Sequence, residues 1–300
     1  MPLVPMRDGQ SIYVRVIGRG QPVLMLPGLG MSSMQWMPFV LPHIRAFRFY
    51  MPDFRGHGRS RHARLNQSDV FQNHTDDVRD LIQYFQLNDF ILAGISLGAT
   101  TAMHLQRETE FVGVRRYLHI DQSPCVLNDE QWQYGLTGSS QAELFQRMQP
   151  IKELLNAFPG CEYFDQLPRD AKSAMAVALA QMAEVLGVGV IPRTILRRGI
   201  ANLPSAVIRK IPLMRLQDMA LYLAAYSGGG HDYRSTLGSG NVPVTLMYGK
   251  HSPLYHSDGQ RLVASSAARS NVVCFERSGH VPLLDEPTKF MREFSRFLRD

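Results

Sequence analysis

One stretch of the chain combines residue types and spacing that can do chemistry: Gly94-Ile95-Ser96-Leu97-Gly98. The apolar residues 89–93 before it read as a buried parallel strand, and residues 99–105 after it read as a helix. A serine on a strand-to-helix turn, with glycine two residues to either side, is the nucleophile-elbow pattern. The turn is sharp and strained, so the hydroxyl projects past the strand end, and crowding leaves room only for small residues beside it. The helix that follows aims its N-terminus at the serine, where a free N–H can stabilise a developing oxyanion.

A serine hydroxyl reacts only if a base takes its proton. The imidazolium formed when histidine is that base needs a carboxylate on its other nitrogen. The rest of the chain must therefore supply a base, an acid and a second oxyanion donor.

The positioning elements read as an alternation of strands and helices. Residues 7–17 read as a hairpin around Arg7-Asp8-Gly9-Gln10, and 22–26 as a buried strand running into Pro27-Gly28-Leu29-Gly30. Residues 31–36 enter a helix, and 47–52 form a strand that leads into the polar loop 53–60. Thr75 and Asp76 can cap a helix carrying Val78, Leu81, Ile82 and Phe85. Residues 117–121 read as the next strand, with Asp121 at its end. From 122 to 240 helical patterns dominate, and strand character resumes at 242–249 and 271–276. Ser278-Gly279-His280 follows, and then a helix from Pro287 that buries Phe290, Met291, Phe294, Phe297 and Leu298. Alternating strands and helices imply a mostly parallel sheet covered on both faces, with its site beyond the strand C-termini. The 27–30 loop, Ser96, Asp121 and His280 all fall at such ends.

Composition bounds the function classes. The chain has 300 residues, 45% hydrophobic and 19% charged, which fits a globular protein with a large core. Cys125, Cys161 and Cys274 are far apart and lack metal-ligand spacing, so they read as apolar fillers in a reducing compartment. The N-terminus has no apolar signal segment, and the longest apolar tract, 174–191, is broken by Gln181 and Glu184. The expectation is a cytoplasmic protein with no stable membrane insertion and no nucleic-acid partner. The net charge is +6, and Arg193, Arg197, Arg198, Arg209, Lys210 and Arg215 lie in an acid-free stretch between 185 and 217. That stretch reads either as a solvated face or as a site for an anionic partner.

Leu26-Pro27-Gly28-Leu29-Gly30 with Trp36, the loop 53–60 reading Asp-Phe-Arg-Gly-His-Gly-Arg-Ser, the elbow at Ser96, and Ser278-Gly279-His280 before the last helix together resemble the α/β-hydrolase superfamily. The resemblance covers nearly all of the chain outside residues 122–240. It implies a twisted, mostly parallel eight-stranded sheet with helices on both faces. The core is 1–121 and 241–300, and 122–240 is an inserted helical cap. It also implies Ser96 as nucleophile, His280 as general base, and the N–H groups of Leu29 and Leu97 as the oxyanion hole, with no metal or organic cofactor. His57, in the glycine loop, takes a structural role.

Two positions depart from the pattern. Pro27 replaces a histidine common before the oxyanion glycine, with little consequence because the donor there is a backbone N–H. After the strand ending at Gly249, the usual Gly-x-x-Asp is Gly249-Lys250-His251-Ser252, and Ser252 cannot carry the charge. Asp121 is chosen as the acid instead, since some lipase and dehalogenase branches take theirs from that strand end. Asp258 is the rival. Asp232 ranks lower because it precedes its strand. His251, His256 and Asp258 read as solvated rather than metal-binding, while Trp132, Tyr134 and the run 174–183 are candidates for the pocket wall.

The expected activity is cleavage of a carboxylic ester on a small-molecule acyl substrate, with lactones and thioesters as variants. A serine nucleophile argues against chemistry that passes through an alkyl-aspartate ester. The alternatives are an acyltransferase or thioesterase acting on an anionic carrier and, from another class, a non-catalytic binding protein on the same scaffold. C–C hydrolases and haloperoxidases share these motifs.

Overall fold

A computed structural model describes residues 3–187, 214–228, 231–266 and 269–300. Its eight strands are β1 (Leu3–Pro5), β2 (Ser11–Gly18), β3 (Gln21–Leu26), β4 (Phe47–Pro52), β5 (Phe90–Ile95), β6 (Val114–Ile120), β7 (Val244–Gly249) and β8 (Ser270–Phe275). They form one sheet in the order β1-β2-β4-β3-β5-β6-β7-β8. β2 pairs antiparallel with both β1 and β4, and all pairings from β4 through β8 are parallel. The mostly parallel eight-stranded sheet expected from the sequence is present.

The helices among the described residues are α1 (Met37–Val40), α2 (Val70–Tyr84), α3 (Leu97–Thr109), α4 (Gln141–Ala157), α5 (Arg169–Val185), α6 (Leu216–Ser227), α7 (Arg234–Ser239), α8 (Ser257–Ser266), α9 (Pro282–Asp285) and α10 (Pro287–Arg299). None is long and apolar enough to cross a membrane.

β5 shows why the sheet is covered on both faces. All six of its residues are buried. Phe90 and Leu92 join one apolar cluster with Val78 and Leu81 of α2 and Ala102 and Met103 of α3. Ile91, Ala93 and Ile95 join another with Phe39 and Val40 of α1 and Phe290 and Phe294 of α10. A strand buried on both sides is apolar without interruption, and that run identified it in the sequence. A third cluster, including Leu144, Met148, Met175 and Leu223, is built by the excursion between β6 and β7.

Local readings differ from the structure at four places. α2 starts at Val70, because Asp69 accepts from Phe71 N at 3.0 Å and Gln72 N at 3.1 Å. Thr75 is therefore mid-helix, where its hydroxyl donates back to Phe71 O at 2.8 Å. β6 begins at Val114, earlier than 117. Its two arginines hid the start, yet Arg115 pairs with Asp89 at the surface and Arg116 donates to Phe297 O at 2.9 Å. Residues 31–36 hold one 3-10 turn, Ser33–Trp36, before α1. β1, which the sequence reading did not include, is the outer arm of the N-terminal hairpin.

Candidate active site

The elbow is built by backbone collisions that only glycine avoids. A Cβ on Gly94 would lie 2.5 Å from Gly98 O, and a Cβ on Gly98 would lie 2.3 Å from Leu26 O. This contact presses the start of α3 against the end of β3. Ser96 between them has φ 51° and ψ −121°, a conformation L-residues rarely adopt. Strain of this kind persists only where the surroundings enforce it. Here Ser96 N donates to Ile120 O at 3.0 Å, and Ser96 O accepts from Ala99 N and Thr100 N at 2.8 and 2.9 Å.

Asp121 follows β6 with φ 43°, and its residue surface is fully buried. Its Oδ1 accepts from Gly249 N at 3.1 Å, and its Oδ2 accepts from Ser252 Oγ at 2.7 Å. The same Oδ2 lies 2.5 Å from His280 Nδ1. Three segments distant in sequence thus meet at one carboxylate. Gly249 allows the meeting, since a Cβ there would lie 1.8 Å from Gly279 O. The histidine loop is held from its other side by Asp285, whose Oδ2 accepts from Gly279 N at 2.9 Å and Ser278 Oγ at 3.1 Å. Ser252 and Asp285 are supporting groups that the sequence reading missed. In the sequence Ser252 is a position without charge, and the Gly249-x-x-Ser252 spacing is the available signal for its placement.

The loop 27–30 packs against Ser96: a Cβ on Gly28 would lie 3.5 Å from Ser96 Cβ. Among the described residues, the N–H groups of Leu29 and Leu97 have no hydrogen-bond partner. Leu97 N opens α3, where helix geometry leaves the donor unpaired. Asp53 braces this region, accepting from Ser33 N at 2.6 Å and Arg59 N at 2.8 Å. Arg55 in the same loop is buried, bonds both carboxylate oxygens of Asp77 at 2.6 and 2.7 Å, and reaches Asp8 at 2.6 Å. His57 is buried with Nδ1 2.8 Å from Arg55 O, and burial pushes its pKa down.

Ser96 and His280 open into one cavity of about 690 Å³. Its wall includes Leu29, Met148, Leu179, Met182, Met219, Tyr226 and Leu254. A volume and apolar lining of this kind suit a small organic ligand. Of the run 174–183, Leu179 and Met182 reach the cavity, while Met175, Ala176 and Ala178 pack inside the third cluster. Trp132 and Tyr134 do not line it. Trp132 Nε1 donates to Ser123 Oγ at 3.2 Å, and Tyr134 stacks beside His256 with ring centroids 6.1 Å apart.

The remaining candidates lie elsewhere. Asp258 is exposed and bonded to Arg261 at 2.9 Å. Asp232 is bridged to Cys125, and its carboxylate is held by Arg234. His251, His256 and Asp258 form no three-ligand group; among the described residues the one such group is Cys125, Asp129 and Asp232. Arg234 joins its two carboxylates, at 2.7 Å from Asp129 and 2.6 Å from Asp232. Burial raises the pKa of the Cys125 thiol, which opposes nucleophilic character. Of the basic stretch, Arg193, Arg197, Arg198, Arg209 and Lys210 lie outside the described residues. Arg215 is buried and donates to Ala63 O at 3.1 Å and Arg61 O at 2.5 Å, tying α6 to the chain after loop 53–60.

The esterase from Exiguobacterium antarcticum superposes with a TM-score of 0.70 at 20% identity, over 99% of this chain and 98% of that one. A bromoperoxidase from Bacillus anthracis does so with a TM-score of 0.71 at 17% identity, over 97% and 96%. At such identities the likeness is one of fold. In sequence, the pimeloyl-(acyl-carrier protein) methyl ester esterase of Nitrosomonas europaea is 22% identical over 285 residues, covering 95% of this chain and 98% of that protein. The sequence profile described as "Alpha/beta hydrolase family" matches residues 23–293, nearly the whole chain. With the fold, the strained serine and the profile all in agreement, the chain belongs to the alpha/beta hydrolase family.

Proposed function

We propose that the protein is a serine esterase that cleaves a carboxylic ester of a largely apolar acyl substrate. The observation that carries this reading is the buried Asp121 carboxylate 2.5 Å from Nδ1 of a histidine that shares a cavity with the strained Ser96. Ser96 Oγ attacks the ester carbonyl while His280 takes its proton. Asp121 fixes the imidazole with Nδ1 protonated and stabilises the imidazolium. The N–H groups of Leu29 and Leu97 receive the oxyanion, each such donor contributing about 10²–10³ in rate. His280 then protonates the leaving alkoxide, and a water, deprotonated by His280, releases the acid from Ser96. The excursion between β6 and β7 serves as a cap that closes the acyl pocket, and Ser252 and Asp285 position the acid and the histidine loop.

The relatives support esterase chemistry, and the Nitrosomonas europaea protein brings a second reading, an ester carried on an acyl-carrier protein. The acid-free basic stretch 186–216 favours that reading. One panel tests both. Hydrolysis of neutral p-nitrophenyl esters, lost in Ser96→Ala, supports the esterase reading, and no turnover of any ester contradicts it. Charge reversal at Arg197 and Arg198 raises KM for a carrier-linked methyl ester alone if the carrier is the natural partner. Equal effects on both substrate types contradict the carrier.

A further inference from the structure

Four tyrosines stand in or beside the wall formed by α6 and its neighbours, and three of their hydroxyls are committed to the protein. Tyr222 Oη lies 2.7 Å from His74 Nε2, and Tyr233 Oη lies 2.9 Å from His104 Nδ1. Tyr255 interacts with Gln122. Tyr226, in the last turn of α6, differs: its hydroxyl has no hydrogen-bond partner among the described residues.

The ring is nonetheless packed against the protein. Tyr226 packs against both the core cluster beneath α2 and α3 and the cluster of the β6–β7 excursion. Its ring meets Phe71 edge-on at 5.5 Å. Burial raises its pKa well above the ordinary tyrosine value. The residue is half-buried and contributes to the cavity wall. The hydroxyl is not among the buried polar atoms without a partner, so it keeps accessible surface, and a molecule in the cavity can take the hydrogen bond that no described protein group takes.

The surroundings restrict what completes it. The described wall residues include no lysine or arginine, and Asp285 on the wall disfavours an anion. Gln35, the other neutral polar wall residue of this kind, has its carbonyl bonded to Ser32 N at 2.5 Å. The residue whose ring approaches His280 is Tyr255, at 5.8 Å, whereas Tyr226 rests on Phe71. Resting on the ester-hydrolysis reading of the site, we propose that Tyr226 is a specificity-determining residue whose hydroxyl hydrogen-bonds a neutral oxygen (ketone, second ester or hydroxyl) carried by the substrate apart from its scissile ester. The substrate class is thus an oxygenated acyl ester rather than a simple alkanoate, with methionines 148, 182 and 219 accommodating its apolar part.

The test uses matched p-nitrophenyl esters: 5-oxohexanoate against hexanoate, and both 6-oxoheptanoate and the methyl adipate diester against heptanoate. Rates are normalised to uncatalysed hydrolysis. The intact enzyme should favour at least one oxygenated member by about 10-fold in kcat/KM, the scale of one neutral hydrogen bond. In Tyr226→Phe that ratio should fall to about one, while Tyr84→Phe, at an exposed tyrosine outside the site, keeps it. No preference in any pair, or a preference that survives Tyr226→Phe, overturns the proposal. Thermal-shift binding of the same esters to Ser96→Ala reads the preference without turnover. A binding preference abolished by Tyr226→Phe in a protein whose wild type hydrolyses none of the esters would contradict the esterase reading and leave this assignment standing. No binding preference overturns the assignment in either case.

Discussion

The edge of the sheet and the wall of the cavity are made by different physics. At the edge, positions are dictated by backbone collisions: Gly94 against Gly98, Gly98 against Leu26, Gly249 against Gly279. Few residue types can stand there, and those few form a pattern. At the wall, Met148, Leu179, Met182, Met219 and Leu223 are apolar side chains that other apolar residues of similar volume could replace. The edge therefore fixes where the serine, the carboxylate and the histidine stand, and the wall shapes the space beside them. This separation lets the wall vary while the backbone constraints at the edge stay the same.

The largest effect that can test this contrast is at the acid. Asp121→Asn should lower kcat by about 10⁴-fold, because the amide no longer stabilises the imidazolium or enforces the right tautomer. Asp258→Asn, at an exposed residue paired with Arg261, should leave kcat within about 2-fold. A reversed pattern in steady-state kinetics would move the acid to the later loop.

Gly98→Ala adds one methyl group where the new Cβ would sit 2.3 Å from a backbone oxygen. It should destabilise the fold by about 2–4 kcal/mol, read from urea unfolding, with a matching loss of activity. A variant with wild-type stability and kcat would show that the edge is not constrained by that contact.

Ser252→Ala removes a hydroxyl that donates to Asp121 Oδ2. A hydrogen bond to a charged group contributes about 1.5–3 kcal/mol, so kcat should fall about 10- to 100-fold with KM little changed, and Ser252→Thr should recover most of it. An unaltered kcat in Ser252→Ala would reduce Ser252 to a bystander.

The last effect is away from the site and is read in stability rather than in rate. His119 is fully buried between Tyr117 Oη at 3.0 Å and Gln122 O at 2.8 Å, and burial pushes its pKa down to about 4. The native state keeps it neutral, while the unfolded chain takes up a proton below about pH 6.5. Its contribution is complete above that pH and declines as pH falls from about 6.5 to about 4, by on the order of 3 kcal/mol. Unfolding free energies across this range should show a shallower slope in His119→Gln, and an identical slope would refute the assignment.

The legibility of the sequence follows the same division. β5 was readable because a strand buried on both faces is uniformly apolar, and the elbow because its glycines have no substitutes. Asp121 came into view through an absence, the uncharged Ser252 at the usual acid position. The start of α2 was misplaced because Thr75 and Asp69 both have capping chemistry, and only geometry shows which side chain meets the free N–H groups. The start of β6 was hidden because Arg115 and Arg116 find partners outside the strand, in Asp89 and Phe297. Trp132 and Tyr134, candidates for the wall in the sequence, are large aromatic residues that suit packing equally well, and they pack outside the cavity. Tyr226 carried no signal in the sequence, since its distinction is a hydrogen bond it does not make.

The central claim is that Ser96 is an activated nucleophile, and intact-mass spectrometry after exposure to a fluorophosphonate tests it most directly. Wild type should gain the mass of one phosphonyl group, and folded Ser96→Ala should gain none. A folded wild type that stays unmodified, or a Ser96→Ala protein that labels equally, would contradict it.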